Sequence, residues 1–288
     1  MKFALIAHSD KYTTTPPLKR VIKWCEKNDT TFTGTTSLFD SAGIRPETGR
    51  MATNSEKEAI EAADIAIVIG GDGTILRTAQ LVQNTSVPLL GINCGRLGFM
   101  ANIPEDRIEE SLNAVRDGAY QIDSRSMLEA SANNGKHFLA LNEFLFTKKD
   151  TTSLITLTVN YGDHFVNRYW ADGLIVSTPT GSTAYNLSSG GPIVMPGTPV
   201  MVVTPINPHT LTTRSLVLPS DQPLTVRIEE ESDHALFSND GKIMEIKKRP
   251  LEVVVRQSEK SVNLIQLQGQ NYFDTLRTKL MWGMDTRK

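Results

Sequence analysis

The 288 residues carry 30 Lys and Arg against 32 Asp and Glu, a net charge of -2. That length exceeds one typical core, and there is none of the basic stripe that nucleic-acid binding leaves in a sequence. Cys25 and Cys94 are the 2 cysteines and lack CxxC spacing, so no disulfide framework or zinc site is indicated and a reducing, cytoplasmic setting fits best. No apolar run approaches a membrane span and MKFALIAHSD lacks a cleavage signature, so a soluble, unprocessed chain without membrane or nucleic-acid partners is expected.

Phe3 to Ala7 reads as a buried strand, and Leu18, Val21, Ile22 and Cys25 share one face of a helix ending near Lys27. Glu56 to Ala62 is helical in character, Ile65 to Ile69 strand, Thr74 to Gln83 helix and Val87 to Ile92 strand. From Pro104 to Gly118, proline in the first turn, acids near the start and a terminal glycine mark one more helix. Such alternation predicts a Rossmann-like α/β domain over residues 1–120, a parallel sheet covered by helices.

After Tyr120 the pattern changes to β-branched runs: Ser153 to Tyr161, Leu174 to Thr178, Val200 to Pro205, Leu224 to Ile228 and Leu251 to Arg256. Turn signals at Asn133 (NNGK), Tyr161 (YGD) and Asn239 (NDGK) separate them, which predicts an antiparallel, β-sandwich-like domain over 121–269. Tyr272 to Trp282 looks helical again, and residues 270–288 are expected to complete the first domain.

Four stretches carry chemistry. GGDGT at Gly70 to Thr74 joins a strand to a helix, where Gly70, Gly71 and Gly73 permit close backbone approach to a phosphate. It is neither a P-loop nor a GxGxxG fingerprint. Asp72 opposes an anion there; it is either a functional carboxylate or a helix cap. Arg77, a turn later, offers charge to a phosphate or is a solvated helix residue. GINCGRLGF, Gly91 to Phe99, brings a second glycine loop to the same sheet edge, with Phe99 as a ligand wall or a core residue. DGLIVSTPTGSTAY, Asp172 to Tyr185, packs Thr178, Thr180, Ser182 and Thr183 around Pro179 and Gly181; it reads as a binding loop that offers hydroxyls to ribose and base edges, with Tyr185 for stacking. In HFLALNEFLF, Asn142 and Glu143 interrupt a strand; they suit a ribose diol, or are solvated strand residues. NDGK is a strong hairpin signal, with Lys242 near an anion at most. His8, His137, His164, His209 and His234 share no metal-ligand spacing.

Taken in order, GGDGT, GINCGRLGF, LNE, DGLIVSTPTGSTAY and PINPHTL (Pro205 to Leu211) closely resemble the NAD kinase family over roughly Ile65 to Lys242. GGDG alone is shared with diacylglycerol- and sphingosine-type lipid kinases; STPTGSTAY narrows the resemblance. It implies phosphorylation by ATP of the 2′-hydroxyl on the adenosine ribose of NAD, in a cleft between the two domains. Inorganic polyphosphate is an open alternative donor, and Mg²⁺ the expected divalent cation. By resemblance Asp72 is the general base and lies with Gly73 against NAD, while Phe99 walls the pocket. Asn142 and Glu143 bind ribose hydroxyls, and Asp172 contacts the nicotinamide end. Thr183, Ala184, Tyr185, Asn186, Leu187 and Ser188 line the adenine and ribose site, with Arg77 and Lys242 nearby. Gly70, Gly71, Gly73 and Thr74 form the phosphate-donor loop. The resemblance also implies a homo-oligomer, a dimer or tetramer. A lipid kinase sharing GGDG and a catalytically silent dinucleotide-binding regulator are the rival readings.

Overall fold

The computed structural model describes residues 1–7, 13–44, 50–95, 98–149, 153–230, 232, 235–244 and 250–282. His8, His234, and Arg96 and Leu97 of the second glycine loop lie outside these. In chain order the elements begin with β1 (Lys2–Ala7), α1 (Thr15–Lys27), β2 (Thr31–Thr35), α2 (Thr36–Ser41), β3 (Arg50–Thr53) and α3 (Glu56–Glu61). There follow β4 (Ile65–Gly70), α4 (Asp72–Val82), β5 (Leu89–Asn93) and α5 (Ile108–Arg116). The β-rich part contains β6 (Tyr120–Ala132), β7 (His137–Ala140), β8 (Glu143–Lys148), β9 (Ile155–Tyr161), β10 (His164–Ala171), β11 (Gly173–Ser177) and α6 (Tyr185–Ser188). It continues through β12 (Val200–Ile206), β13 (Leu216–Pro219), β14 (Leu224–Ile228), β15 (Ala235–Asn239), β16 (Lys242–Met244) and β17 (Leu251–Leu267) to α7 (Tyr272–Leu280).

By its contacts the chain divides into two compact units, Met1–Ser124 with Val262–Lys288, and Arg125–Ser261. The boundary falls inside β17, whose last residues are counted with the first unit.

In the first unit the strands run β3-β2-β1-β4-β5-β17, and every pair is parallel. This is the doubly wound order, with its reversal between β1 and β4. β1, β4 and β5 are near-continuous apolar runs because helices cover both faces. Phe3, Leu5, Ile67, Ile69, Leu90 and Ile92 pack one face against α1, α2 and α5. β2, α2 and β3 escape the sequence reading, since TFTGT builds its strand from β-branched threonines rather than an apolar run.

The second unit is a two-sheet antiparallel sandwich, as the sequence predicts. One sheet joins β10, β9, β14 and the first half of β17, with the β6–β7 hairpin; the other runs β13-β12-β11-β8-β15-β16. Alternation fixes the inward faces: Leu157 and Val159, Val226 and Ile228, Val253 and Val255 meet Phe144, Phe146, Val176 and Phe237 in one core. Phe237 is its hub, with ring centroids 5.3, 5.6 and 5.1 Å from Phe138, Phe144 and Phe146. Leu141 and Asn142 fall where the chain leaves β7 in one sheet for β8 in the other, so the interruption in HFLALNEFLF is the crossing itself.

Candidate active site

GGDGT emerges from the carboxyl end of β4, beside the strand-order reversal, where open α/β sheets bind ligands. Gly70 is required by close approach, because a Cβ there would lie 2.3 Å from Thr74 Oγ1. Helix α4 begins at Asp72, two residues earlier than the sequence suggests, and Gly71 is its N-cap. The Asp72 side chain makes no cap. Its Oδ2 accepts the Phe99 N–H at 2.8 Å, and its Oδ1 accepts those of Met100 and Ala101, each at 3.0 Å. The carboxylate therefore ties the second glycine loop to the first. Gly98 makes room for it: a Cβ there would stand 2.1 Å from Asp72 Oδ1.

Of about four acceptor sites on a carboxylate, the described residues take three, and Oδ2 keeps one among them. Phe99 is half-buried, its ring 6.4 Å from that of Tyr272 and 5.6 Å from Lys279 Nζ. Arg77 is exposed and forks onto Glu56, so its charge is committed to a neighbour within the unit. A cavity of about 350 Å³ opens at the same sheet edge, lined by Thr13, Pro16, Asn93, Cys94, Pro104 and Glu105. It adjoins the loop, since Cys94 N–H donates to Gly70 O at 3.3 Å. Burial, and secondly the Glu105 charge, push the Cys94 thiol up to about 11, which leaves it un-ionised at neutral pH.

In the second unit, the hydroxyl-rich loop is built differently from the expectation. Thr178, Thr180 and Ser182 are buried, and their hydroxyls brace the protein rather than face outward. Thr178 Oγ1 donates to Leu141 O at 2.6 Å and accepts from Gly181 N at 3.0 Å. Ser182 Oγ donates to Pro179 O at 2.6 Å and accepts from Val194 N at 3.0 Å. The physical reason is that a tight, buried turn must pair its own backbone groups, and hydroxyls do so at short range. Asn186 is likewise consumed: fully buried, it gives Nδ2 to Ser182 O and Pro192 O and accepts from Thr204. What the loop leaves accessible are Thr183, Ala184 and Leu187, half-buried, and Tyr185 and Ser188, exposed.

Asn142 and Glu143 are both buried, not solvated. Glu143 Oε2 has no hydrogen-bond partner among the described residues. Desolvation, with the Asp240 charge second, pushes the Glu143 carboxyl up to about 7. Asp172 is 2.5 Å from Lys148 and accepts Asn207 Nδ2 at 3.0 Å; Lys148 first and Asn207 second hold its carboxyl below the usual range. Lys242 is exposed at the start of β16. Trp170, just before Ala171 and Asp172, is exposed and lies 4.4 Å from the His209 ring.

Among the described residues no group of three or more His, Cys, Asp or Glu could hold a metal ion. No helix of the described residues is long and apolar enough to cross a membrane.

Residues 3–120 match the family "ATP-NAD kinase N-terminal domain", and residues 141–267 "ATP-NAD kinase C-terminal domain". The chain is 36% identical to an NAD kinase of Cytophaga hutchinsonii over 294 residues, covering 100% of each chain. It is 40% identical to one of Bacteroides fragilis over 229 residues, 78% of each. In fold it is similar to a yeast NADH kinase complexed with NADH, with a TM-score of 0.90 at 21% identity, covering 100% of this chain and 89% of that one. An Archaeoglobus fulgidus NAD kinase in complex with ATP superposes with a TM-score of 0.75 at 24% identity, covering 98% and 99%.

Proposed function

The chain belongs to the ATP-NAD kinase family and is an ATP-dependent kinase of NAD, and we propose that Asp72 is the general base of its reaction. The observation that carries the assignment is a carboxylate at the strand-order reversal, fixed by three backbone N–H groups, with one acceptor position of Oδ2 left over among the described residues. A ribose hydroxyl is a weak nucleophile. As its oxygen bonds to the γ-phosphorus of ATP, its proton passes to Asp72 Oδ2, the bridging P–O bond breaks, and ADP leaves with the electron pair. The products are NADP and ADP. Because the carboxylate cannot swing while the Phe99–Ala101 backbone holds it, the base is oriented before the substrate arrives.

Gly70, Gly71, Gly73 and Thr74 take the donor phosphates, and the adjoining cavity by Asn93 and Glu105 suits the donor nucleoside. Mg²⁺ is the expected divalent cation and would neutralise charge on the donor phosphates; among the described residues no group of three or more His, Cys, Asp or Glu could hold a metal ion. Gly73 and Phe99 lie against NAD. Asn142 and Glu143 take ribose hydroxyls, for which Glu143 Oε2, unpaired among the described residues, is a ready acceptor. Asp172 meets the nicotinamide end, and Thr183, Ala184, Tyr185, Leu187 and Ser188 offer a face to adenine and ribose. Asn186 supports that face from beneath. Lys242 and Arg77 lie near the dinucleotide, the Arg77 guanidinium being paired with Glu56. A cytoplasmic setting is supported by two free cysteines. Self-association into a dimer or tetramer is supported by exposed Phe165, Trp170, Leu211 and Val217 in the second unit; gel filtration returning only monomer contradicts it.

The direct test incubates the protein with NAD, ATP and Mg²⁺ and detects product with an NADP-specific dehydrogenase. Absence of signal overturns the reading. Replacing ATP by polyphosphate in a parallel arm identifies the donor.

A further inference from the structure

The tip of the β15–β16 hairpin does more than reverse the chain. Asp240 and Gly241 adopt φ of 44° and 79°, the left-handed pair that a two-residue hairpin turn demands. That geometry turns the Asp240 side chain and backbone onto the segment 139–143. Asp240 Oδ2 accepts the Leu141 N–H at 2.8 Å, while Oδ1 accepts those of Asn142 at 2.8 Å and Glu143 at 3.2 Å. Asp240 N–H donates to Glu143 O at 3.1 Å, and Asn239 Nδ2 to Leu139 O at 2.8 Å. From the other side, Thr178 holds Leu141 O through its hydroxyl and Asn142 O through its N–H, at 2.6 and 2.8 Å. Gly181 presses so close that a Cβ would lie 2.2 Å from Asn142 O.

Leu141 and Asn142 belong to no strand, yet their backbone is gripped from both sides. A crossing between two sheets needs partners for its amides, but any acceptors would serve that purpose. Here one charged acceptor takes three consecutive N–H groups, next to Glu143, a carboxylate nine-tenths buried whose Oε2 is unpartnered among the described residues. Placing a second carboxylate beside a buried one costs stability, and a neutral acceptor would avoid that cost. The arrangement makes sense if the position of Glu143 matters more than its stability.

We propose that Asp240 is a positioning residue for NAD, its carboxylate fixing the Leu141–Glu143 backbone so that the Asn142 amide and the Glu143 carboxylate are presented together to a ribose diol. This rests on the reading of Asn142 and Glu143 as ribose ligands. Asp240 itself touches no substrate. The NDG turn, which the sequence presents as a hairpin signal, thereby becomes part of the acceptor site.

Two variants test it. Asp240→Asn keeps the size and tolerates the left-handed φ but replaces one acceptor oxygen by a donor; Asp240→Gly keeps the turn and removes the acceptor altogether. Steady-state kinetics are expected to show KM for NAD raised about tenfold, with KM for ATP within about twofold of the parent. NAD titration calorimetry should show the same loss of affinity. An unchanged KM for NAD in both variants overturns the proposal. So does an equal rise in both KM values, or failure of both variants to fold, because either result makes Asp240 structural only. Asn142→Ala and Glu143→Ala separate the two levels of the argument. If these raise KM for NAD while the Asp240 variants do not, the positioning role alone falls; if they leave it unchanged, the ribose reading falls and takes the positioning role with it.

Discussion

Asp72 and Glu143 are both carboxylates proposed to meet ribose hydroxyls, and their surroundings give them opposite characters. Asp72 accepts three N–H groups through its own side chain and is half-exposed. Asp72→Asn keeps an acceptor for the loop but cannot take a proton, so kcat is expected to fall by about 10²- to 10⁴-fold with the thermal transition nearly unmoved. Near-parent turnover would remove Asp72 as the base. Glu143 instead has an oxygen without a partner among the described residues and a carboxyl moved from 4.5 to about 7 by burial first and Asp240 second. The folded state then holds this proton over a range in which the unfolded chain has lost it. Stability from this group is present below pH 4.5 and is lost as the pH rises through about 7, a difference of roughly 3 kcal/mol. Glu143→Gln should flatten that part of the stability–pH curve, measurable by urea unfolding between pH 5 and 8; a curve parallel to the parent's would contradict the assignment. Spacing in the sequence pointed to both residues, but it could not tell a held carboxylate from an orphaned one, because that difference lies in partners distant in the chain.

At the scale of elements, the loops are rigid by construction, and single methyl groups test this. Gly98→Ala would drive a Cβ against Asp72 Oδ1. It should cost activity far more than stability, since the carboxylate must move while the surrounding strands need not. Kinetics and thermal unfolding on the same variant check that split. Phe237→Ala does the reverse: it empties the centre of the sandwich, where three phenylalanine rings meet it. About 3–5 kcal/mol of stability is expected to be lost, read by denaturant unfolding. Helix α5 and strand β9 were legible from the sequence because one face of each is buried against its own unit, and β4 because both of its faces are buried, which leaves a continuous apolar run. The hydroxyl-rich loop was legible as unusual but not in its purpose. Its composition suits outward hydrogen bonding and inward bracing equally, and only the positions of Leu141 O, Pro179 O and Val194 N decide for bracing.

For the molecule as a whole, the first unit draws on both ends of the sequence. Val262–Leu267 closes one edge of its parallel sheet beside β5, and Ile265 and Leu267 enter its core. A chain ending at Ser261 should therefore lose the cooperative unfolding of the first unit, with the Trp24 fluorescence transition broadened or gone; an unchanged transition would show that the strand is dispensable. The periodicity change near Tyr120 separated α/β from β, since helical and strand repeats bury different faces, and the ordered motifs identified the kinase family. The acidic residue of GGDG and the glycines around it could be named from the sequence alone, because their local chemistry is written in residue type and spacing. What the sequence left undecided is which groups are spent on the fold and which remain for a substrate. Tertiary structure decided that Thr178, Ser182 and Asn186 are spent, that Asp72 keeps one acceptor position among the described residues, and that Asp240 grips a segment about a hundred residues earlier. Hydrogen bonds saturate, and the partners that saturate them are brought together only when distant strands pair.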